Sequence, residues 1–390
     1  MPANLTAEAQ AAWDRYLKAS TIEEKIKALE EFISLVPKHK GTEKLLKQAK
    51  QKLTKLRLEL AKKREVKKGA GIHPAFSIPK EEDAQIVLFG TPGSGKTSLF
   101  AYFTGANVPI GRTTVLPNVG VLKYSGASFQ IVDLPPITST DIDAIPNGRS
   151  ILSIVRNSDL IALVIDLSQD VEWQLTTLLT VLKNARIIVD RDPPPIKFQK
   201  LSSGGIQIYG AQYAPFSYSE LIEIIKSTGA VNARLDIFGP IDEIDLYNAL
   251  DRRTVFKKAI IVTTKGDLKG TLKAYRKIID LNKMLLNNKL RIIPTSSILK
   301  RGKEEFGEAV LKELNLIRIW LRKNGVIDER ALVLRRGATV KDAARRIHSD
   351  FVKKFRFAIV ERPSDKLPKK RVGLDFRLED NDILTIYIRD

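Results

Sequence analysis

The chain contains no cysteine, two methionines and three histidines in 390 residues. Without thiols there is no disulfide framework and no thiolate zinc site, and His39, His73 and His348 stand too far apart to suggest a metal cluster. Any metal is therefore expected to be a hard ion held by oxygen. No stretch approaches eighteen uninterrupted apolar residues, and the first twenty residues lack a basic run followed by an apolar one. A soluble, cytoplasmic protein with no membrane partner is expected. Negative charge is also in short supply: 45 acidic residues face 65 basic ones, a net charge of +20. Such a field favours a polyanion such as RNA, or an acidic surface.

What is present supports a sizeable core, since apolar residues make up 43% of a chain long enough for two or three domains. "TIEEKIKALEEFISLV" reads as a helix with Thr21 as N-cap, Glu24 three residues on, and Ile22, Ile26, Leu29, Ile33 and Val36 on one face. "TEKLLKQAKQKLTKLRLEL" spaces Leu46, Ala49, Leu53, Leu56 and Leu60 as a heptad seam, so an antiparallel helical hairpin is expected over 1–72. Between Lys44 and Lys68 eleven Lys or Arg oppose two Glu, a bias that suits phosphate contact. A Gly- and Pro-containing linker follows over 73–83.

From residue 84 the apolar runs "QIVLFG", "FQIVD", "LIALVID", "AIIVTT" and "RIIPTS" read as strands of a parallel sheet covered on both faces, in a doubly wound α/β domain. About ninety residues separate the third run from the fourth, too many for one strand-helix unit. The sheet domain therefore occupies 84–168 and 257–315, interrupted by an inserted subdomain over 169–256. A compact α+β module follows over 316–390, with one amphipathic helix capped by Thr339 and Asp342 and a closing strand "DILTIYIR". It holds nineteen basic residues against eleven acidic ones.

The chemistry lies in the sheet domain. "GTPGSGKTS", residues 90 to 98, matches G-x-x-x-x-G-K-[ST] between a strand and a helix. Gly90, Thr91, Pro92, Gly93, Ser94 and Gly95 would form the loop around the phosphates, its glycines letting consecutive backbone N–H groups converge on the β-phosphate, with Lys96 between the β and γ oxygens, Thr97 on Mg²⁺ and Ser98 opening the helix. In "GRTTVLPNVGV" Thr114 is the candidate for closing over the γ-phosphate and metal, and Asp133, ending its strand, is the second metal-side residue. "TTKGD" supplies Thr264, Lys265 and Asp267. Asp267 can accept from guanine N1–H and the N2 amine, a donor pair that adenine lacks, and Lys265 can lay its stem on the base. "TSS" places Ser296 and Ser297 near guanine O6. An ATPase is disfavoured accordingly.

Taken together, "DAQIVLFGTPGSGKTSL", "TTVLPNVGV", "GRSILSIVRNSDLIALVID", "GATVKDAARRIHSDFVKKF" and "KKRVGLDFRLEDNDIL" resemble the developmentally regulated GTP-binding protein family of Obg-like translation-factor GTPases, and its archaeal members most. The resemblance spans essentially the whole chain. It implies a P-loop GTPase domain with an N-terminal helical hairpin, an inserted S5-domain-like subdomain and a C-terminal TGS module of β-grasp form. It also implies GTP or GDP with Mg²⁺ as ligands, Lys96 and Thr114 as the catalytic pair, and Thr97, Thr114 and Asp133 around the metal. Ribosome or rRNA contact is expected through the basic hairpin and the TGS module, along with a protein activator and a monomeric state.

Three positions depart from the family pattern. Pro136 stands where the family has a glycine whose N–H bonds the γ-phosphate, and proline has no N–H. Thr264 replaces an asparagine whose amide ties the base motif to the phosphate loop, and that tie is expected to be lost. Gly93 occupies the position of an asparagine that helps some relatives hold potassium, which leaves K⁺ an open further cofactor. Ile137, next to Pro136, offers no amide to orient water. The expected activity is slow Mg²⁺-dependent GTP hydrolysis in a ribosome-associated switch. The alternative is a guanine-nucleotide-gated RNA-binding protein with negligible turnover.

Overall fold

Alternate residues of the central strands point to opposite faces, and here both faces are apolar. In β1 (Ala84–Gly90) Val87 and Phe89 enter one core cluster while Ile86 and Leu88 enter the other, and β4 (Leu160–Asp166) divides Ile161, Leu163 and Ile165 from Leu160, Ala162 and Val164 in the same way. A computed structural model describes residues 7–19, 22–37 and 76–389 apart from 324 and 363–368, with positions 42, 46, 49, 52 and 53 besides. It divides into two units, Met1–His73 and Pro74–Asp390.

The main sheet of the second unit also contains β2 (Asn118–Tyr124), β3 (Ala127–Asp133), β10 (Lys258–Thr264) and β11 (Arg291–Pro294), in the order β11-β10-β4-β1-β3-β2. All neighbours are parallel except β2, which returns antiparallel along β3. The five expected runs are thus strands, and β2 is an addition. Helix α3 (Lys96–Thr104) lines one face through Leu99, Phe100 and Phe103, joined by Phe306 and Val310 from a later helix. Helices α4 (Gly148–Asn157) and α5 (Val171–Asn184) cover the other face.

Helix α5 buries Val171, Leu175, Leu178 and Val181 in the cluster under the main sheet, although the sequence expectation puts residues from 169 onward in the insertion. The separate apolar cluster of the insertion draws on Ile196 through Leu250. Its strands β6 (Ile196–Lys200), β7 (Ile206–Tyr209) and β8 (Ala233–Ile237) are ordered β6-β8-β7, with helices α6 (Tyr218–Ser227) and α7 (Glu243–Leu250) contributing to that cluster. Short strands β5 (Ile187–Ile188) and β9 (Val255–Phe256) pair in parallel where the chain leaves and rejoins the main domain.

After α8 (Thr271–Leu286) and α9 (Lys303–Glu313) comes the C-terminal module, built on β12 (Leu316–Lys323), β13 (Val326–Ile327), β14 (Leu332–Arg335), β15 (Phe355–Glu361), β16 (Lys369–Val372) and β17 (Ile383–Ile388). The sheet order is β13-β12-β17-β15-β16, with β14 also on β12. Thr339 and Asp342 form a reciprocal capping box at the start of α10 (Val340–Ile347). The single helix expected here is two: His348 is extended at φ −161°, and its ring Nδ1 accepts from Asp350 N at the start of α11 (Ser349–Lys353).

In the first unit, α1 (Ala7–Lys18) precedes the helix expected from the sequence, α2 (Ile22–Leu35). Ala9, Ala12 and Trp13 of α1 pack with Leu29 and Phe32 of α2. Of the expected second arm of the hairpin, Leu46, Ala49, Lys52 and Leu53 are helical, with Leu46 and Ala49 buried against the same cluster; Thr21, Leu56 and Leu60 lie outside the described residues. Among the described residues no helix is long and apolar enough to cross a membrane.

Candidate functional site

The loop between β1 and α3 curls around an open helix start. A Cβ on Gly90 would lie 2.7 Å from the Val164 carbonyl oxygen, so no side chain fits there. Gly93 and Gly95 adopt φ of +72° and +86°, and Gly95 caps α3 with no side chain over the helix N-terminus. The free N–H groups and the positive end of the helix dipole face a cleft lined by Pro92, Gly93, Ser94, Lys96, Thr97, Ser98, Thr114 and Pro136. Lys96 Nζ, 5% exposed as a residue, donates to Gly90 O and Thr91 O, both at 3.0 Å, and lies 3.4 Å from Ser94 Oγ. Burial brings its pKa down to about 8, against the opposing pull of Asp133.

Thr97, Thr114 and Asp133 converge beside it. Asp133 Oδ2 accepts from Thr97 Oγ1 at 2.9 Å, Thr114 Oγ1 at 3.3 Å and Asn118 Nδ2 at 3.2 Å, and the two threonine hydroxyls are 3.0 Å apart. Its other oxygen, Oδ1, is buried with no hydrogen-bond partner among the described residues. Burial raises the Asp133 pKa despite its bonds to Thr97, Asn118 and Thr114 and the nearby Lys96 charge. An oxygen-only donor set with an orphaned carboxylate oxygen fits a hard divalent cation such as Mg²⁺.

The base-side residues adjoin this cleft. Thr264 Oγ1 donates to Ser94 O at 2.7 Å, so the tie between base motif and phosphate loop is kept by a hydroxyl, contrary to the expectation of its loss. Lys265, at φ +58°, places Nζ 2.6 Å from Asp166 Oδ2, and Asp166 is wholly buried. Asp267 is half-buried in a cleft with Gly95, Leu99, Tyr102, Leu268, Ser297 and Ile298, an apolar slot with one carboxylate at its side. The two serines separate: Ser296 closes a turn, its N–H donating to Arg301 O and its hydroxyl accepting from Leu299 N, and Ser297 lines the cleft.

Sequence reasoning missed three residues. Asn118 fixes Asp133, and Asp166 anchors Lys265. Gln174 is fully buried; its Oε1 accepts from Asp166 N at 2.9 Å and lies 3.4 Å from Thr91 Oγ1, while Nε2 donates to Asp166 O and Asp170 O. It joins phosphate loop and base side through one amide. The available signal was an aspartate ending a buried strand, opposite the lysine of "TTKGD". Beyond Asp133, Pro136 lines the phosphate cleft, and Ile137 N–H donates to Gly90 O at 3.1 Å with its side chain fully buried. The Ile137 side chain therefore belongs to the core and does not line the cleft.

The family model described as 50S ribosome-binding GTPase matches residues 85–191, and that of the TGS domain matches 317–388. An uncharacterized GTP-binding protein of Methanocaldococcus jannaschii is 33% identical over 381 residues, covering 94% of this chain and 93% of its own. Ribosome-interacting GTPase 1 of Saccharomyces cerevisiae is 30% identical, covering 94% and 99%. A developmentally regulated GTP-binding protein 2 homolog of Dictyostelium discoideum is 28% identical, covering 93% and 98%. With a GTPase sheet, a glycine-lysine loop at an open helix start and a TGS module in one chain, and this likeness along nearly all of it, the protein belongs to the developmentally regulated GTP-binding protein family.

Proposed function

We propose that the protein is a slow, Mg²⁺-dependent GTPase that acts as a ribosome- or RNA-associated switch in translation. The observation that carries this is the convergence of Thr97, Thr114 and Asp133 beside the buried ammonium of Lys96, with Asp267 in the adjoining cleft that shares Gly95, Ser98 and Lys265 with the first. In this reading the N–H groups of residues 93 to 97 bind the β-phosphate, Asp267 and Ser297 select guanine, and Lys265 covers the base. Lys96 neutralises charge between the β and γ oxygens. Mg²⁺ held by Thr97, Thr114 and Asp133 would draw further charge from the phosphates. Thr114 reports the γ-phosphate to the segment before β2.

Among the described residues that line the phosphate cleft, no side chain is a carboxylate, imidazole or amide, and this supports a slow rate unaided and acceleration by a protein activator. The name of the yeast relative and the TGS match support ribosome association, with the basic N-terminal unit and the TGS module as its contacts. The test is single-turnover GTP hydrolysis with and without ribosomes, in K⁺ and in Na⁺. A measurable rate that Lys96→Ala abolishes is expected. A background rate in every condition would favour the second reading, a GTP-gated RNA binder with negligible turnover, to which Pro136 and the buried Ile137 lend weight.

Pro136→Gly separates the two through its single-turnover rate, which rises if the proline is a brake on a GTPase and stays at background in a GTP-gated binder. Returning an N–H toward the γ-phosphate is worth about 1.5–3 kcal/mol if it meets a charged partner. A roughly 10- to 100-fold gain in preference for GTP over GDP is expected, read by competition against a fluorescent GDP analogue.

A further inference from the structure

The outward face of the C-terminal sheet has two differently used ends. At one end Trp320 packs on Gly126, the tip between β2 and β3, where a Cβ would lie 2.6 Å from its ring, and Arg318 Nη1 donates to Ser125 Oγ at 2.6 Å. At the other end two aromatics stand in register. Phe357 and Tyr387 are directly opposed on β15 and β17, with ring centroids 4.5 Å apart and planes within 17°. The Arg371 guanidinium, from β16, lies 4.0 Å from the Phe357 centroid. Arg371, Phe357 and Tyr387 thus form three layers of one stack across three strands.

This stack contributes nothing to the core beneath, which takes Ala358, Val360 and Leu384 from alternate positions. Tyr387 stays 42% exposed. Exposed cations surround it: Lys354 and Arg389 flank the adjacent Phe355–Ile388 pair, and Arg356 approaches the Phe357 ring at 5.9 Å. An aromatic face left in water among cations matches a nucleobase with its phosphates, because every base has a π-face and stacking needs no hydrogen-bond code.

We infer that this corner of the sheet is a stacking platform for single-stranded RNA: a base extends the Arg371–Phe357–Tyr387 stack on the open side of Tyr387, while Lys354, Arg356 and Arg389 take the flanking phosphates. The inference rests on the proposed RNA association and narrows it to one face of one module.

The experiment uses the full chain and a fluorescein-labelled twelve-nucleotide oligouridylate, titrated at several salt concentrations. Tyr387→Phe keeps the affinity, since the hydroxyl plays no part in stacking. Tyr387→Leu, which keeps apolar bulk, weakens it roughly tenfold or more with the salt slope unchanged. Arg356→Ala lowers the slope instead. Nucleotide binding by the GTPase domain reports that each variant is folded. Ultraviolet crosslinking of a 4-thiouridine oligomer to the unaltered protein gives a readout independent of variants, and is expected to label the β15 or β17 peptide. Unchanged binding in Tyr387→Leu overturns the platform alone, whereas no RNA binding by the unaltered protein overturns the RNA reading as well. Displacement of the oligomer by poly-glutamate at equal charge would assign the face to an acidic protein and overturn the inference.

Discussion

Lys96 illustrates how a bound ligand changes a side chain's preferred state. With its pKa lowered to about 8 by burial, the free protein binds fewer protons here than the unfolded chain between about pH 8 and the usual lysine range near 10.5. Its stability therefore rises with pH through that window. Phosphate favours the ammonium, so nucleotide binding above pH 8 takes up a proton and binding near pH 7 takes up none. Calorimetry of GDP binding at pH 8.5, in buffers of different ionisation heat, should show that uptake. Its persistence in Lys96→Arg, which stays charged throughout, would assign it elsewhere. Asp133 carries the opposite charge under the same burial. Asp133→Asn removes the charge of a buried carboxylate that has one oxygen unpartnered among the described residues and whose burial outweighs its bonds to Thr97, Thr114 and Asn118, so the nucleotide-free protein should change by less than about 1 kcal/mol or gain stability, while the Mg²⁺-dependent part of its GDP affinity disappears. Denaturant melts and binding with and without Mg²⁺ check both halves. Thr264 marks the limit of reading residues by type. The sequence shows a threonine where an amide was expected; that its hydroxyl reaches Ser94 O depends on the approach of two loops 170 residues apart. Thr264→Ala should cost about 1–3 kcal/mol in urea unfolding by leaving the buried Ser94 carbonyl unpaired, with weaker GDP binding; a variant indistinguishable in both would remove this tie from the account.

Among elements, the β2–β3 hairpin has most at stake. Its open end carries Asn118 and Asp133, and its closed end, Ser125 and Gly126, meets the TGS module through Arg318, Trp320 and Ala331. Seven residues of strand, at about 3.4 Å each, span the distance between a nucleotide-facing end and a module-facing end. Gly126 has φ +82°, and Trp320 leaves no room for a Cβ. Gly126→Val should therefore destabilise the second unit by about 2–4 kcal/mol in urea, combining a left-handed branched residue with overpacking. A change below about 0.5 kcal/mol would mean the contact is loose. The hairpin was only half legible. β3 is apolar on both faces and announces itself as a strand, but β2 is an edge strand with mixed exposure and Gly120 in its middle, so no period marks it. The kink at His348 was hidden for a different reason: the apolar periodicity of "TVKDAARRIHSDFVKKF" continues through it, and only the backbone shows that α11 starts anew. The parallel strands and the phosphate loop were legible because burial on two faces and a glycine-lysine spacing are local in sequence; Asp166 meets Lys265 and Gln174 meets Thr91 only across the fold.

Over the whole molecule the charge is unevenly distributed. Residues 1–73 carry a net +8 and residues 316–390 another +8 of the total +20, leaving +4 for the 242 residues of GTPase domain and insertion. The nucleotide-binding part is thus close to neutral and the appendages hold the field, the arrangement expected if they meet phosphate and the middle of the chain does not. Among the described residues, the four core clusters of the second unit begin at Phe76. Removing 1–73 should therefore leave GDP affinity within about twofold while reducing the salt dependence of ribosome co-sedimentation, because each lost phosphate contact lowers the log–log slope by about 0.7–0.9. A second, independent reduction is expected when Lys354, Arg356 and Arg389 are neutralised in the full chain, and the two effects should add, since the groups belong to separate units. If removing 1–73 leaves the slope unchanged, its eleven-to-two bias between Lys44 and Lys68 serves solubility rather than RNA, and the TGS module alone carries the association.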